Sequence, residues 1–338
     1  MTLVLADSYG RVATDLRVSL TDRCNLRCTY CMPPEGLEWL PKPELLTDDE
    51  LLRLIRVGTT RLGITEVRFT GGEPLLRRGL PGLVAGTTAL TPRPQTALTT
   101  NGIGLARMAP ALAEAGLDRV NVSLDTLRHD RFEQLARRRR LQDVLDGMAG
   151  AAEAGLTPVK VNAVLMRDIN DDEAPDLLRY CVEHGYELRF IEQMPLDAQH
   201  GWRRDTMVTA DEILARLEAD FTLEAADAET RGSAPAELFH VRGARFPNGE
   251  PATVGVIGSV TRPFCGACDR VRLTADGQIR NCLFAREESD LRALLRGGAT
   301  DEEIADSWRA AVATKLPGHG INDPSFLQPA RPMSAIGG

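Results

Sequence analysis

Cys24, Cys28 and Cys31 fall within one eight-residue stretch, Cys24-Asn25-Leu26-Arg27-Cys28-Thr29-Tyr30-Cys31. A four-iron cubane normally takes one cysteine sulfur per iron, so three thiolates leave one iron free to chelate something small. A zinc knuckle or chance clustering is the alternative. Zinc would want a fourth Cys or His close by in paired spacing, and the nearest histidine is His129.

Three of the remaining cysteines repeat the arrangement. Cys265-Gly266-Ala267-Cys268 is followed by thirteen residues and then Cys282, with no histidine inside the stretch. A second cluster with an open iron is favoured over tetrahedral zinc. Cys181 stands apart in Asp176-Leu177-Leu178-Arg179-Tyr180-Cys181-Val182, where positions 177, 178, 181 and 182 share a helical face. It is expected to be a buried apolar side chain.

Such sites need a framework, and 338 residues allow two domains or one large α/β domain with an appendage. With 43% apolar residues the chain can bury an aliphatic core. Forty basic against forty-eight acidic residues give a net charge of −8, which argues against broad nucleic-acid binding. Any anionic substrate must then be met by local cations. No run approaches a membrane span and the opening is too short for a signal peptide, so a reducing, cytoplasmic location is expected.

From residue 15 to about 220 short β-like runs alternate with helical stretches. Strands are expected at 15–21, 66–70, 96–100, 119–125, 159–165 and 187–194, and helices at 48–62, 105–115, 141–154, 172–183 and 210–219. A boundary falls at 225–235. Short strands at 253–260 and 270–274, a helix at 301–314 and a Pro/Gly-rich tail follow. The division is 11–224 for a barrel and 225–338 for an auxiliary-cluster and substrate-binding domain.

Strands buried on both faces should be nearly continuously aliphatic, and these are not. Arg17, Ser19 and Thr21 share one face; so do Arg68 and Thr70, Asn121, Ser123 and Asp125, and Lys160 and Asn162. A one-side-wetted antiparallel sheet would also alternate, but intervening helices imply parallel crossovers. Six strands with a polar inner face suggest an open, partial (β/α)6 TIM-like barrel, whose lumen cations imply an anionic ligand.

Gly71-Gly72-Glu73-Pro74 follows the second strand, and two glycines let backbone come close to a ligand. Thr99-Thr100-Asn101-Gly102, Ser123-Leu124-Asp125 and Gln193-Met194-Pro195 end other strands, where parallel barrels place their sites; capping is an equal alternative for each. Arg270 and Arg272 share a strand face and suit phosphate oxygens. Arg137-Arg138-Arg139-Arg140 reads as a solvated face.

Together these segments resemble the radical S-adenosylmethionine (SAM) superfamily, and within it the GTP 3′,8-cyclase family. CNLRCTYC, FTGGEP, TTNG, CGACDRVRLTADGQIRNC, Gly318-His319-Gly320-Ile321-Asn322 and a terminal Gly337-Gly338 carry the likeness. The resemblance implies two [4Fe-4S] clusters, on Cys24, Cys28 and Cys31 and on Cys265, Cys268 and Cys282. It places SAM against Tyr30, Gly72, Ser123 and Met194, and GTP against Arg17, Arg68, Thr99, Lys160, Arg270 and Arg272. Arg189 is a further position, and Arg17, Arg270 and Arg272 carry a catalytic part.

It further implies reductive cleavage of SAM to a 5′-deoxyadenosyl radical, removal of the ribose 3′ hydrogen of GTP, attack of C3′ on guanine C8 and a final reduction. Expected partners are an external electron donor and a cyclic pyranopterin monophosphate synthase that takes the product, with a homodimer allowed. Two other readings compete. Peptide or sulfatase maturases carry about seven cysteines in their C-terminal extension. A two-cluster electron carrier would shield each cluster with four cysteines. The glycine tail is expected to enter the barrel mouth.

Overall fold

The computed structural model describes residues 4–227 and 231–337. The main sheet contains strands β1 (Asp15–Ser19), β2 (Glu66–Thr70), β3 (Gln95–Thr100), β4 (Arg119–Ser123), β5 (Val159–Val164), β6 (Glu187–Ile191), β7 (Leu223–Ala225), β8 (Glu237–Arg245), β9 (Pro251–Ile257), β10 (Arg270–Leu273), β11 (Gln278–Arg280) and β12 (Ser289–Asp290). Their spatial order is β12-β11-β10-β1-β2-β3-β4-β5-β6-β9-β8-β7.

Strands β1 to β6 pair in parallel and in chain order. The expected six-stranded arc is extended on both sides, because β10 lies parallel to β1 and β9 parallel to β6. β9 and β10 are not neighbours, so the barrel stays open. The later segment therefore adds its strands to both edges of the same sheet rather than building a separate one.

Helices α1 (Asp48–Arg61), α2 (Leu80–Thr88), α3 (Leu105–Glu114), α4 (His129–Ala136), α5 (Leu141–Glu153), α6 (Ala174–His184) and α7 (Ala210–Glu218) intervene, and α8 (Leu291–Arg296), α9 (Asp301–Ala313) and α10 (Met333–Ile336) follow. Local chemistry starts several of them. Thr47 and Glu50 form a reciprocal capping box on α1, as do Thr209 and Glu212 on α7 and Thr300 and Glu303 on α9. α1 then buries Leu51, Leu54, Ile55 and Gly58 at helical spacing. At Gly58 the helix meets Trp308 of α9, a fully buried side chain. Truncating such a side chain to Ala costs about 3–5 kcal/mol.

The polar strand faces look inward and Leu16, Val18, Leu20, Val67 and Phe69 pack outward with no exposure. Cys181 is buried in the same core, as expected. Several expected strands end early. β4 stops at Ser123 because Asp125 turns to accept the Val164 amide at 2.9 Å. α2, with Pro81 in its first turn and two glycines, escapes the periodicity; α4 was not expected either, although Phe132, Leu135 and Ala136 are buried along it at helical spacing. Among the described residues no helix is long and apolar enough to cross a membrane.

Candidate active site

The cysteine loop leaves β1 and is clamped by the glycine turn after β2. Gly72 N donates to Thr21 O and Glu73 N to Arg23 O, both at 2.7 Å. A Cβ on Gly72 would lie 2.3 Å from Arg23 O, and one on Gly71, at φ +144°, 2.5 Å from Thr21 O. The glycines thus admit the cysteine loop itself; the close approach expected toward a ligand is in the first place backbone on backbone.

Glu73 completes the clamp. Its buried carboxylate accepts from Leu75 N (2.9 Å), Thr100 Oγ1 (2.7 Å) and Asn101 N (2.7 Å), and burial pushes it up to about 7. Asn101 Nδ2 donates to Asn25 Oδ1 at 2.7 Å and lies 3.8 Å from Cys24 Sγ. Arg137, expected on a solvated face, instead donates to the carbonyls of Arg27 and Met32 at the base of the same loop. It ends α4 in a left-handed turn at φ 53°, which aims its side chain back at the loop, while Arg138, Arg139 and Arg140 are exposed.

Cys24, Cys28 and Cys31 line a cavity of about 160 Å³ together with Gly72, Thr100, Asn101 and Ser334. The three thiols crowd one another. Burial, Asp125, Cys31 and Cys24 drive Cys28 strongly upward, and burial and Cys24 push Cys31 up to about 12. A thiol set so costly to ionise alone suits a cationic iron centre, which stabilises all three thiolates at once. No three Cys, His, Asp or Glu side chains among the described residues converge on one ion.

A second cavity, of about 270 Å³, adjoins the first and shares Tyr30, Thr99, Ser123, Asp125 and Met333 with it. Each of the eight parallel strands sends a side chain into it, including Arg17, Arg68, Asn162, Arg189, Ile257 and Arg272. Its far wall carries Cys265, Cys268 and Cys282. Tyr30 Oη donates to Asp125 Oδ2 at 2.6 Å across the junction. Burial raises Asp125 to about 6, against that bond and the one from Val164. Met194 also lines this cavity.

Cations crowd the lumen. Asp15 Oδ2 lies 3.4 Å from Arg17 and 3.6 Å from Arg68, and Glu66 pairs with Arg68 at 2.6 Å. Arg119, also on Glu66, joins the network. Desolvation and Arg17 lower Arg68 to about 10, and desolvation and Arg68 lower Arg189 to about 9. Nε of Arg17, Arg68 and Arg189 is buried without a hydrogen-bond partner, as are Asp15 Oδ1 and Asn162 Oδ1. Buried donors left open beside like charges call for an anion.

Arg270 donates to Ser233 O and stacks over Phe264, 5.0 Å from its ring centre. Arg272 donates to Gly337 O. Gly338 lies outside the described residues. Lys160 does not line the cavity; its ammonium pairs with Glu187 at 2.6 Å. Asp15, Glu66, Glu187 and Arg119 were missed, although their i, i+2 relation to lumen residues on the same strands was a readable signal.

Two family models match, Radical SAM superfamily over residues 18–181 and Molybdenum Cofactor Synthesis C over 186–321. The GTP 3′,8-cyclase of Streptomyces coelicolor is 69% identical over 99% of this chain and 96% of its own length. That of Mycobacterium sp. strain KMS is 66% identical over 99% and 93%. Among solved structures, Streptococcus suis SuiB bound to S-adenosylmethionine shares the fold with a TM-score of 0.60 at 16% identity, over 94% of this chain and 69% of that one.

Proposed function

The chain belongs to the GTP 3′,8-cyclase family of radical SAM enzymes, and from that premise we infer that its two adjoining cavities divide one reaction between them. The reaction is the cyclisation of GTP to 3′,8-cyclo-7,8-dihydro-GTP, the first step of molybdenum cofactor biosynthesis. The observation that carries the division is the pair of cysteine triads lining adjoining cavities, with the arginine-lined lumen opening from the second.

Cys24, Cys28 and Cys31 would hold the SAM-binding [4Fe-4S] cluster, and Cys265, Cys268 and Cys282 a second one. When bound, the first cluster and SAM together supply a one-electron carbon–sulfur cleavage that delivers a primary carbon radical to the ribose 3′ hydrogen. Gly72, Ser123 and Tyr30 shape the SAM side, whereas Met194, expected there, lines only the second cavity and meets SAM from the substrate side. The Tyr30–Asp125 bond fixes the wall at the junction, where Ser123 and Thr99 face both cavities.

Arg17, Arg68, Arg189, Arg270 and Arg272 take the triphosphate, whose oxygens satisfy the open Nε donors of the first three. Asp15 and Glu66 keep those arginines extended and spaced before substrate arrives. Lys160 acts from behind Glu187, with a weaker hold on the nucleotide. The arrangement binds GTP at both ends, phosphates on arginine and base toward the second triad. That restrains the ribose and excludes water from a radical that must meet only one hydrogen.

Residues 11–224 form the six-stranded arc of the barrel in this reading, and 225–338 extend it at both edges and supply the auxiliary-cluster and substrate-binding part. The remaining requirements are a cytoplasmic one-electron donor and an enzyme that takes the product on, a cyclic pyranopterin monophosphate synthase; a homodimer is compatible with them. Iron analysis with EPR, with and without GTP, tests the division. About eight irons per chain and a GTP-dependent change in the second signal support it; a spectrum indifferent to GTP contradicts it.

A further inference from the structure

Lys315 lies just beyond α9 and is only 4% exposed. Its ammonium donates to Cys268 O at 3.1 Å and Arg270 O at 2.9 Å, and sits 3.4 Å from Cys268 Sγ. An ammonium has three donors and no acceptor, so all of its capacity points at the second cysteine triad and the strand that follows it. Its partners are two carbonyls and a sulfur rather than a carboxylate. A buried cation held only by dipoles is costly unless a full negative charge is near. As a ligand of the second cluster, Cys268 would supply that charge as its thiolate.

We propose that Lys315, through its contact with the Cys268 sulfur, sets the reduction potential of the second iron–sulfur centre. The proposal rests on the two-cluster reading above. An added electron makes the centre more negative, and a fixed cation on a ligating sulfur stabilises that state more than the oxidised one. Lys315 therefore raises the potential of this centre and leaves the first untouched. It is a positioning residue, which reaches the substrate only through Cys268 and Arg270.

The test is an EPR-monitored potentiometric titration of the reconstituted full chain, comparing parent, Lys315→Met, Lys315→Gln and Lys315→Arg. The second-centre midpoint should move to lower potential in the two neutral variants, stay near the parent value in Lys315→Arg, and the first-centre midpoint should not move. Parent-like iron content with an unmoved second midpoint in the neutral variants would overturn the proposal alone. Only about four irons in the parent would overturn the two-cluster reading and this inference with it. Loss of the second centre in both neutral variants, with the first retained, would make Lys315 purely structural and also overturn it.

Discussion

The guanidinium of Arg272 donates to the carbonyl oxygen of Gly337, tying β10 to the last described residue of the chain. Gly337 is buried at φ +80°, and a Cβ there would come within 2.7 Å of Thr70 Cγ2 and 3.3 Å of Ser19 Cβ. The tail thus lies against the carboxyl ends of β1 and β2, and Ser334 of α10 lines the first cavity together with Cys31.

Gly337→Ala should leave both clusters and the fold intact while lowering cyclised product roughly a hundredfold, since a misplacement of about 1 Å near the chemistry has that effect. Deleting Gly337 and Gly338 should do the same. Product formation at the parent rate, read by mass spectrometry, would return the tail to an ordinary frayed end.

Cys24→Ala, Cys28→Ala and Cys31→Ala should each abolish SAM cleavage, because two irons of the cubane then lack a protein ligand. The assay is 5′-deoxyadenosine release under dithionite. A variant that releases it at the parent rate removes that cysteine from the ligand set.

Arg17→Ala, Arg68→Ala and Arg272→Ala should each weaken GTP binding by about 2–5 kcal/mol, the cost of losing one partner of a desolvated charge pair. Lys160→Ala should cost less, given its pairing with Glu187 outside the cavity. Calorimetry with GTP and with SAM separates this from misfolding, which would lower both affinities together.

The framework was legible because alternation has only one period in a strand. Arg17, Arg68 and Asn121 declared a polar lumen, and the two cysteine triads declared two walls of the site. The outer strands β9 and β10 were expected, but not the edges they would join, because nothing in a short strand says which neighbour it will pair with. Arg137 was misread because its role depends on a left-handed turn that a run of four arginines conceals. Lys315 was invisible for a similar reason: its partner Cys268 is 47 positions away.

Glu73 gives a pH test. Its folded value is about 7, against 4.5 for the ordinary group. A carboxyl raised by burial contributes stability below its unfolded value, and loses it as pH climbs through the folded one. Between pH 4.5 and 7 the parent should therefore lose up to about 3 kcal/mol that Glu73→Gln does not lose. Denaturation midpoints of both proteins at pH 5 and pH 8 measure the difference. Parallel changes in the two would show that Glu73 does not titrate in this range.

The central claim is that one chain couples SAM cleavage to closure of a bond between ribose C3′ and guanine C8. Anaerobic incubation of reconstituted protein with SAM, GTP and dithionite, followed by mass spectrometry of both products, tests it most directly. The account predicts 5′-deoxyadenosine and 3′,8-cyclo-7,8-dihydro-GTP accumulating together, each requiring both substrates. Steady SAM cleavage with GTP left unchanged would contradict it.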